Sequence, residues 1–200
     1  MSSLKLKHSG GNSVSLNPPT SAPTSSEVAF KLPTSDGTAN QVLKTDGSGN
    51  LGWIDNTPMW LVKLSSNYSH TSTNTWVTAP LASEAFDTDS AFDTSNYKFT
   101  VPTGKGGKYF LYYHQQIGDN PDDGENMQSR IDKNGTPLPY SYGIALSPGT
   151  NKTTTIHHSF VTDLVAGDEL TMHLYHHAGE TVSYNESSTY FGGYRLIGGQ

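Results

Sequence analysis

Two hundred residues with a formal charge of −6 and no cysteine leave room for one ordinary domain with an appendage, or for two small domains. They exclude a disulfide framework, a thiolate metal site and a cysteine nucleophile. The acidic balance speaks against a phosphate-binding surface, so nucleic acid is not an expected partner. The hydrophobic fraction of 33% is low, and Gly, Pro, Ser, Thr and Asn abound, which is the composition of many short strands joined by many turns. No secretory leader and no run of about 18 apolar residues is visible, so a soluble chain made inside a cell, without membrane insertion, is expected.

Residues 1–27 read as an extended anchoring arm. Leu4–Lys7 alternate like a short strand, and the Ser-, Thr- and Pro-rich run behind them is too poor in large apolar groups to order itself. Leu4, Leu6, Val14 and Leu16, with Val28, Phe30 and Leu32 just beyond, are the residues expected to dock on a partner. Residues 28–58 carry a near-repeat, Thr34-Ser35-Asp36-Gly37 followed by Asn40 returning as Lys44-Thr45-Asp46-Gly47 followed by Asn50. Asp-Gly between short apolar runs predicts two successive small hairpins or strand-turn units, a short stalk. Asp36 and Asp46 suit turns better than calcium, because an EF-hand loop would need a third acidic position and a closing Glu.

Residues 59–200 form the expected globular head. Met59–Leu64 is an apolar strand, residues 65–80 are a polar loop with an isolated Trp76, and residues 81–92 are the one stretch where a turn of helix fits. Asn96–Ile117 organises the rest. Tyr97, Phe99 and Val101 alternate with Lys98 and Thr100, a strand with one buried face, and Pro102–Gly107 is turn chemistry. Beyond it, Tyr109, Leu111, Tyr113 and Ile117 fall on one face and Phe110, Tyr112 and His114 on the other. A strand apolar on both sides needs a core on one side and a second surface on the other. That surface is expected to be another copy of the chain, with Tyr109–His114, Tyr190 and Tyr194 as the interface. Residues 127–135 make a strand closed by the hairpin dipeptide Asn134-Gly135, and 136–149 an aromatic, proline-rich connection. Two further strands meet at the tight turn Ala166-Gly167-Asp168, and 188–198 is the closing strand. An all-β antiparallel sandwich or barrel is the default.

No site carries obvious chemistry. His157-His158, His173 and His176-His177 crowd the carboxyl end, but His173 and His177 on one strand stand about 13 Å apart, too far to share an ion. Asp119, Asp122, Asp123 and Glu125 could hold calcium through hard oxygens, yet match no defined loop and read better as a solvated loop tip. The same holds for Asp87, Asp89 and Asp93. Gly104–Lys108 lacks the spacing and the following helix of a phosphate cradle. No catalytic residue is assigned, since there is no Gly-x-Ser-x-Gly elbow, and no cofactor is expected. Eleven tyrosines and three tryptophans exceed the needs of one small core. Tyr68, Trp76, Tyr140 and Tyr142, in loops, are therefore candidates for a ligand surface.

The order of these motifs resembles the globular head of complement's first component and the tumour-necrosis-factor jelly rolls. The matching residues are Phe99, Val101, Pro102, Gly107, Tyr109, Phe110, Tyr113 and His114, then Asn134 and Gly135, Leu164, Gly167–Leu170, and Tyr190, Phe191, Gly193 and Tyr194. The resemblance implies a ten-strand jelly roll assembling as a threefold homotrimer. The absence of cysteine and of a collagen repeat points away from a secreted animal protein. Residues 28–56 are similar to segments that recur in bacteriophage fibre and other virion proteins. Together the two likenesses imply a non-enzymatic virion protein, synthesised in the host cytoplasm. Its arm would anchor on capsid, neck or tail proteins, and its head would be displayed as a fibre tip or capsid decoration, with a host-surface glycan or protein as a further partner. A receptor-binding adhesin or lectin is the alternative expectation, and a polysaccharide depolymerase a weaker one.

Overall fold

The computed structural model describes residues 4–17, 19–24, 27–56, 58–118, 121–149 and 151–196, and the chain divides into Met1–Asp55 and Asn56–Gln200. In the first unit β1 (Leu4–Lys7) pairs with β2 (Ser13–Leu16), and β3 (Gln41–Thr45) with β4 (Leu51–Asp55), both antiparallel. The arm thus carries a hairpin of its own. Only the second Asp-Gly closes a hairpin. There the Asp46 carboxylate accepts the N–H groups of Ser48 at 2.7 Å and Asn50 at 3.1 Å and the Asn50 side-chain amide at 2.6 Å, and Gly47 and Gly49 take positive φ. The first Asp-Gly does not, which corrects the expectation of two hairpins. A Cβ on Gly37 would lie 2.6 Å from the Trp53 ring, and Trp53 Nε1 donates to Ser35 O at 3.0 Å, so the indole holds this turn against β4. Lys31 meets Asn50 in one parallel bridge instead.

The second unit is all strand among its described residues: β5 (Met59–Lys63), β6 (Tyr68–His70), β7 (Val77–Thr78), β8 (Ser83–Asp87), β9 (Phe92–Asp93), β10 (Lys98–Thr100), β11 (Gly107–Ile117), β12 (Asp123–Lys133), β13 (Thr136–Pro137), β14 (Gly143–Pro148), β15 (Thr154–Leu164), β16 (Glu169–His176), β17 (Val182–Tyr184) and β18 (Tyr190–Arg195). One sheet runs β6-β17-β11-β18-β5-β8, with β15 paired along the whole of β11. The other runs β13-β12-β16-β10-β9, with β14 on β12 and β7 on β16. Every pair is antiparallel. Several segments are two or three residues long, so a count of ten depends on which of them are taken as strands.

The sheets meet over an aromatic centre. Trp60 of β5 stacks on Phe99 of β10 with ring centroids 3.6 Å apart, and Tyr109 and Phe191 flank the indole at 6.3 and 5.7 Å. Tyr113 spans the gap and donates its hydroxyl to Ser141 O at 2.8 Å or Ser129 O at 3.0 Å. Its burial pushes the phenol up to about 12. Gly193 makes room for this centre, since a Cβ there would stand 2.7 Å from the Trp60 ring.

The structure corrects the sequence reading at several points. Residues 83–87 are an edge strand on β5, not a helical turn; the chain then turns because Asp87 accepts the N–H groups of Asp89 and Phe92. Tyr97 has φ 58° and ends the turn that Asp93 caps, outside the strand. Residues 65–80 include β6 and β7, so Tyr68 sits in a strand, and Trp76, just ahead of β7, is packed by neighbours. The Ala166–Asp168 turn is tight as expected, with Asp168 N donating to Val165 O at 3.0 Å; the strands it joins, β15 and β16, lie in different sheets, so it crosses the sandwich without closing a hairpin. Asn134-Gly135 does close one, both residues at positive φ between β12 and β13, as a type I′ turn requires.

Two histidines lie in this interior. His70 and His176 are 2% and 0% exposed and meet edge-to-face at 4.5 Å, with no ion pair to either ring among the described residues. Burial, and then the neighbouring His176, lower the His70 pKa from 6.5 to about 4. Burial also holds His176 and His173 below their usual value. A depressed histidine takes up its proton more readily in the unfolded chain, so its stabilisation is complete above about pH 6.5 and lost as pH falls toward 4. Urea unfolding is therefore expected to show a lower midpoint at about pH 5 than at about pH 7.5, with the unfolding free energy falling, below about pH 6.5, by up to about 1.4 kcal/mol per pH unit on account of His70. His70→Gln should flatten that dependence; an unchanged slope in the variant would contradict it.

Candidate functional site

The pleat of β11 divides the residues expected at a trimer interface. Tyr109, Leu111 and Tyr113 are 0–2% exposed inside the chain itself, which removes them from any contact between copies: they fill the core. The opposite face carries Phe110, Tyr112 and His114, all half-buried. Register places Phe110 between Tyr194 and Val161, Tyr112 between Gly192 and Ser159, and His114 between Tyr190 and His157. Beyond them, Met59 pairs with Tyr194 and Leu61 with Gly192, and Phe86 adjoins Leu61. Gly192 has a specific part here: a Cβ would meet the Tyr112 hydroxyl oxygen at 2.6 Å, so the glycine lets that ring lie flat on the sheet. Phe110 and Tyr194 are 5.3 Å apart, and His114 stacks on Tyr190 at 5.4 Å. His114 Nδ1 donates to Ser188 O at 2.5 Å. The result is a sheet face on which aromatic and apolar side chains adjoin, partly open to solvent, the kind of surface that suits contact with a partner. Sequence alone does not single out Met59, Leu61, Phe86 and Val161. The alternation of Met59 and Leu61 with Trp60 and Val62 is the available signal; Val161 has none.

A second cluster lies on the outward face of the other sheet. The Arg130 guanidinium sits 4.0 Å from the centroid of the Trp76 ring and binds Asp132 through Nε at 2.7 Å and a second nitrogen at 3.2 Å. Tyr175 lies 5.1 Å from Trp76, and Tyr142 approaches it edge-on at 6.0 Å. Of the four residues expected to form a ligand surface, Trp76 and Tyr142 are thus together, and Tyr140 projects two residues away, 87% exposed. Tyr68 is elsewhere, packed between His70 and Tyr184.

The acidic residues hold their own turns. Glu125 accepts the N–H groups of Asp122 and Gly179, both at 3.1 Å, while Asp122 and Asp123 are exposed and Asp119 lies outside the described residues. Asp93 takes the Asn96 side chain at 2.6 Å and two backbone N–H groups. The Asn96 amide first, then these N–H groups, lower its pKa. Lys105 and Lys108 pair with Asp89 and Asp163 at 3.8 and 2.8 Å. Among the described residues no group of three or more His, Asp or Glu side chains could hold a metal ion. The residues expected to anchor the chain are exposed: Leu4, Leu6, Leu16, Val28, Phe30 and Leu32 range from 58% to 75%, and Val14 is known here only by its backbone place in β2.

No family model and no curated protein matches the sequence. Solved structures do match. Murine APRIL at pH 5.0 aligns with TM-score 0.51 and 14% identity, covering 70% of this chain and 98% of that one. The pH 8.0 structure of the same protein gives 0.51 and 12% over the same shares. The globular domain of zebrafish complement 1qA protein gives 0.47 and 14%, again over 70% and 98%. Likeness at this identity concerns the fold alone: the second unit is a jelly roll of the tumour-necrosis-factor-like kind.

Because both Glu125 oxygens already hold backbone N–H groups, calcium or a chelator is expected to leave the melting temperature unchanged. Glu125→Gln should lower stability by roughly 1–3 kcal/mol, because the amide NH2 cannot accept one of the two N–H groups and the other bond loses its charge assistance. A calcium-dependent rise in melting temperature would sink this assignment.

Proposed function

We propose that the chain is a non-enzymatic structural protein of a bacteriophage particle. Three copies of the second unit assemble through the outward face of β5, β18, β11 and β15, and the first unit attaches to capsid, neck or tail proteins. The observation that carries the reading is that face, with Phe110, Tyr112, His114, Tyr190 and Tyr194 joined by Met59, Leu61, Phe86 and Val161. A monomer would leave it in water, and obligate interfaces resemble a core cut in parts. The first unit supports the second half of the proposal: none of its described residues is buried, so its apolar side chains gain cover only from a partner. An enzymatic role finds less support, because Asp87 and Asp93 hold backbone N–H groups of their own turns, Asp89 pairs with Lys105, and Glu125 holds the N–H groups of Asp122 and Gly179. Host-surface adhesion is a second reading, favoured by the solvent-facing Tyr140 and Tyr142.

Light scattering coupled to size-exclusion chromatography is expected to give the mass of three chains. Val161→Glu and Tyr194→Glu, at positions 53% and 41% exposed, should convert that species to folded monomers. A stable monomer of the unmodified chain would refute the assembly. For attachment, deletion of residues 1–27 should leave the trimer intact and abolish its incorporation into particles; normal incorporation would refute the anchoring role.

A further inference from the structure

The second sheet presents groups that neither the core nor the proposed assembly uses. Tyr140 holds a left-handed backbone, φ 65°, a strained conformation for a side chain branching into a ring, and yet its side chain is 87% exposed. Its loop is fixed from beneath. Buried Ser141 accepts the Ile131 N–H at 3.2 Å and donates to Leu138 O at 2.8 Å, Tyr113 donates to Ser141 O at 2.8 Å, and His158 Nε2 donates to Tyr140 O at 2.5 Å. The chain thus keeps Tyr140 rigid and outward with no contact of its own to make there. Two residues on, Tyr142 meets the Trp76–Tyr175 pair. In register between Ile144 and Tyr175 lies Gln128, outward-facing on β12, and its side-chain amide has no hydrogen-bond partner among the described residues.

Charge decides the class of ligand. Arg130, the cation of this cluster, is neutralised by two hydrogen bonds to Asp132, and His173 faces the same carboxylate at 3.6 Å. The Tyr142 hydroxyl accepts a hydrogen bond from Arg130 Nη1 at 3.3 Å and keeps its own proton to donate, while Trp76, covered by the guanidinium at 4.0 Å, backs the Tyr142 ring. What remains available is the exposed rings and hydroxyls of Tyr140 and Tyr142 and one amide, all uncharged. Such a set stacks on the C–H face of a sugar ring and hydrogen-bonds its hydroxyls, and it offers an anion no free positive charge. We propose that Tyr140, Tyr142 and Gln128, with Trp76 backing Tyr142, form a binding site for a neutral polysaccharide. The site goes beyond the assembly reading and uses the opposite sheet, so a monomeric chain would retain it.

Affinity electrophoresis of the full chain in gels containing dextran, hydroxyethylcellulose or galactomannan tests this, with dextran sulfate as the charged arm. Retardation in at least one neutral gel is expected. It should weaken at least tenfold in Tyr142→Ala and in Tyr140→Ala, the latter with an unchanged melting temperature because the ring is exposed. No retardation in any neutral gel, retardation by dextran sulfate alone, or retardation that survives both substitutions would overturn the proposal. Any of these could occur with the trimer intact, so the two ideas fail separately.

Discussion

The pleat of one strand sets the terms for the second unit. Because side chains alternate along β11, Tyr109, Leu111, Tyr113, Gln115 and Ile117 point into the sandwich while Phe110, Tyr112 and His114 point out of it. Both its edges are occupied, by β15 on one side and by β18 and β17 on the other, so the strand cannot slip by one residue without exchanging its faces. A slip would put His114 or Tyr112, according to its direction, where Tyr113 now bridges the sheets, and would lose the contacts that fix Trp60 against Phe99. Register, core and outward surface are therefore one constraint seen from three sides.

The same alternation makes the outward surface as specific as the core. Gly192 and Gly193 sit side by side in β18 and serve opposite faces, one leaving space for the Tyr112 ring outside, the other for Trp60 inside. Glycine in a strand usually weakens it. Here the lost side chains are replaced by neighbouring rings, so the aromatic groups of both faces lie close to the backbone. A flat, ring-paved sheet face follows, which is the geometry the proposed assembly uses.

The two units solve the folding problem differently. The second builds a core around large aromatic groups and controls its turns with Asp87, Asp93, Asn134 and Asp168, whose side chains satisfy the N–H groups that turning exposes. The first has the turn chemistry without the core: Asp46 closes its hairpin as Asp93 closes a turn in the head, but none of its described residues is buried. Two-stranded hairpins are marginal alone in water. Under the proposed attachment, a docking partner would supply the cover that the first unit lacks.

Much of the fold is legible in the amino-acid sequence by itself. Alternation at Gly107–Ile117, the Asn134-Gly135 turn and the all-β composition depend on backbone periodicity and local sterics, which neighbouring residues dictate, and these features stand. What the sequence does not decide is which face of β11 belongs to the chain's own core, because tyrosines and other large apolar side chains occupy both faces and hydrophobicity alone does not distinguish them. Partners distant in sequence make the choice: Phe99, Trp60 and Phe191 close over Tyr109 and Leu111, leaving Phe110 and Tyr112 outside. Distance in sequence also hides the other features that local patterns misjudge. Residues 83–87 become a strand because β5 offers them hydrogen bonds, Gly37 turns against Trp53 instead of closing a hairpin, and Trp76 gains its place from Arg130 on a strand far along the chain. Local chemistry thus determined where the chain could turn and which stretches could be strands, while pairing between remote strands decided which side chains met.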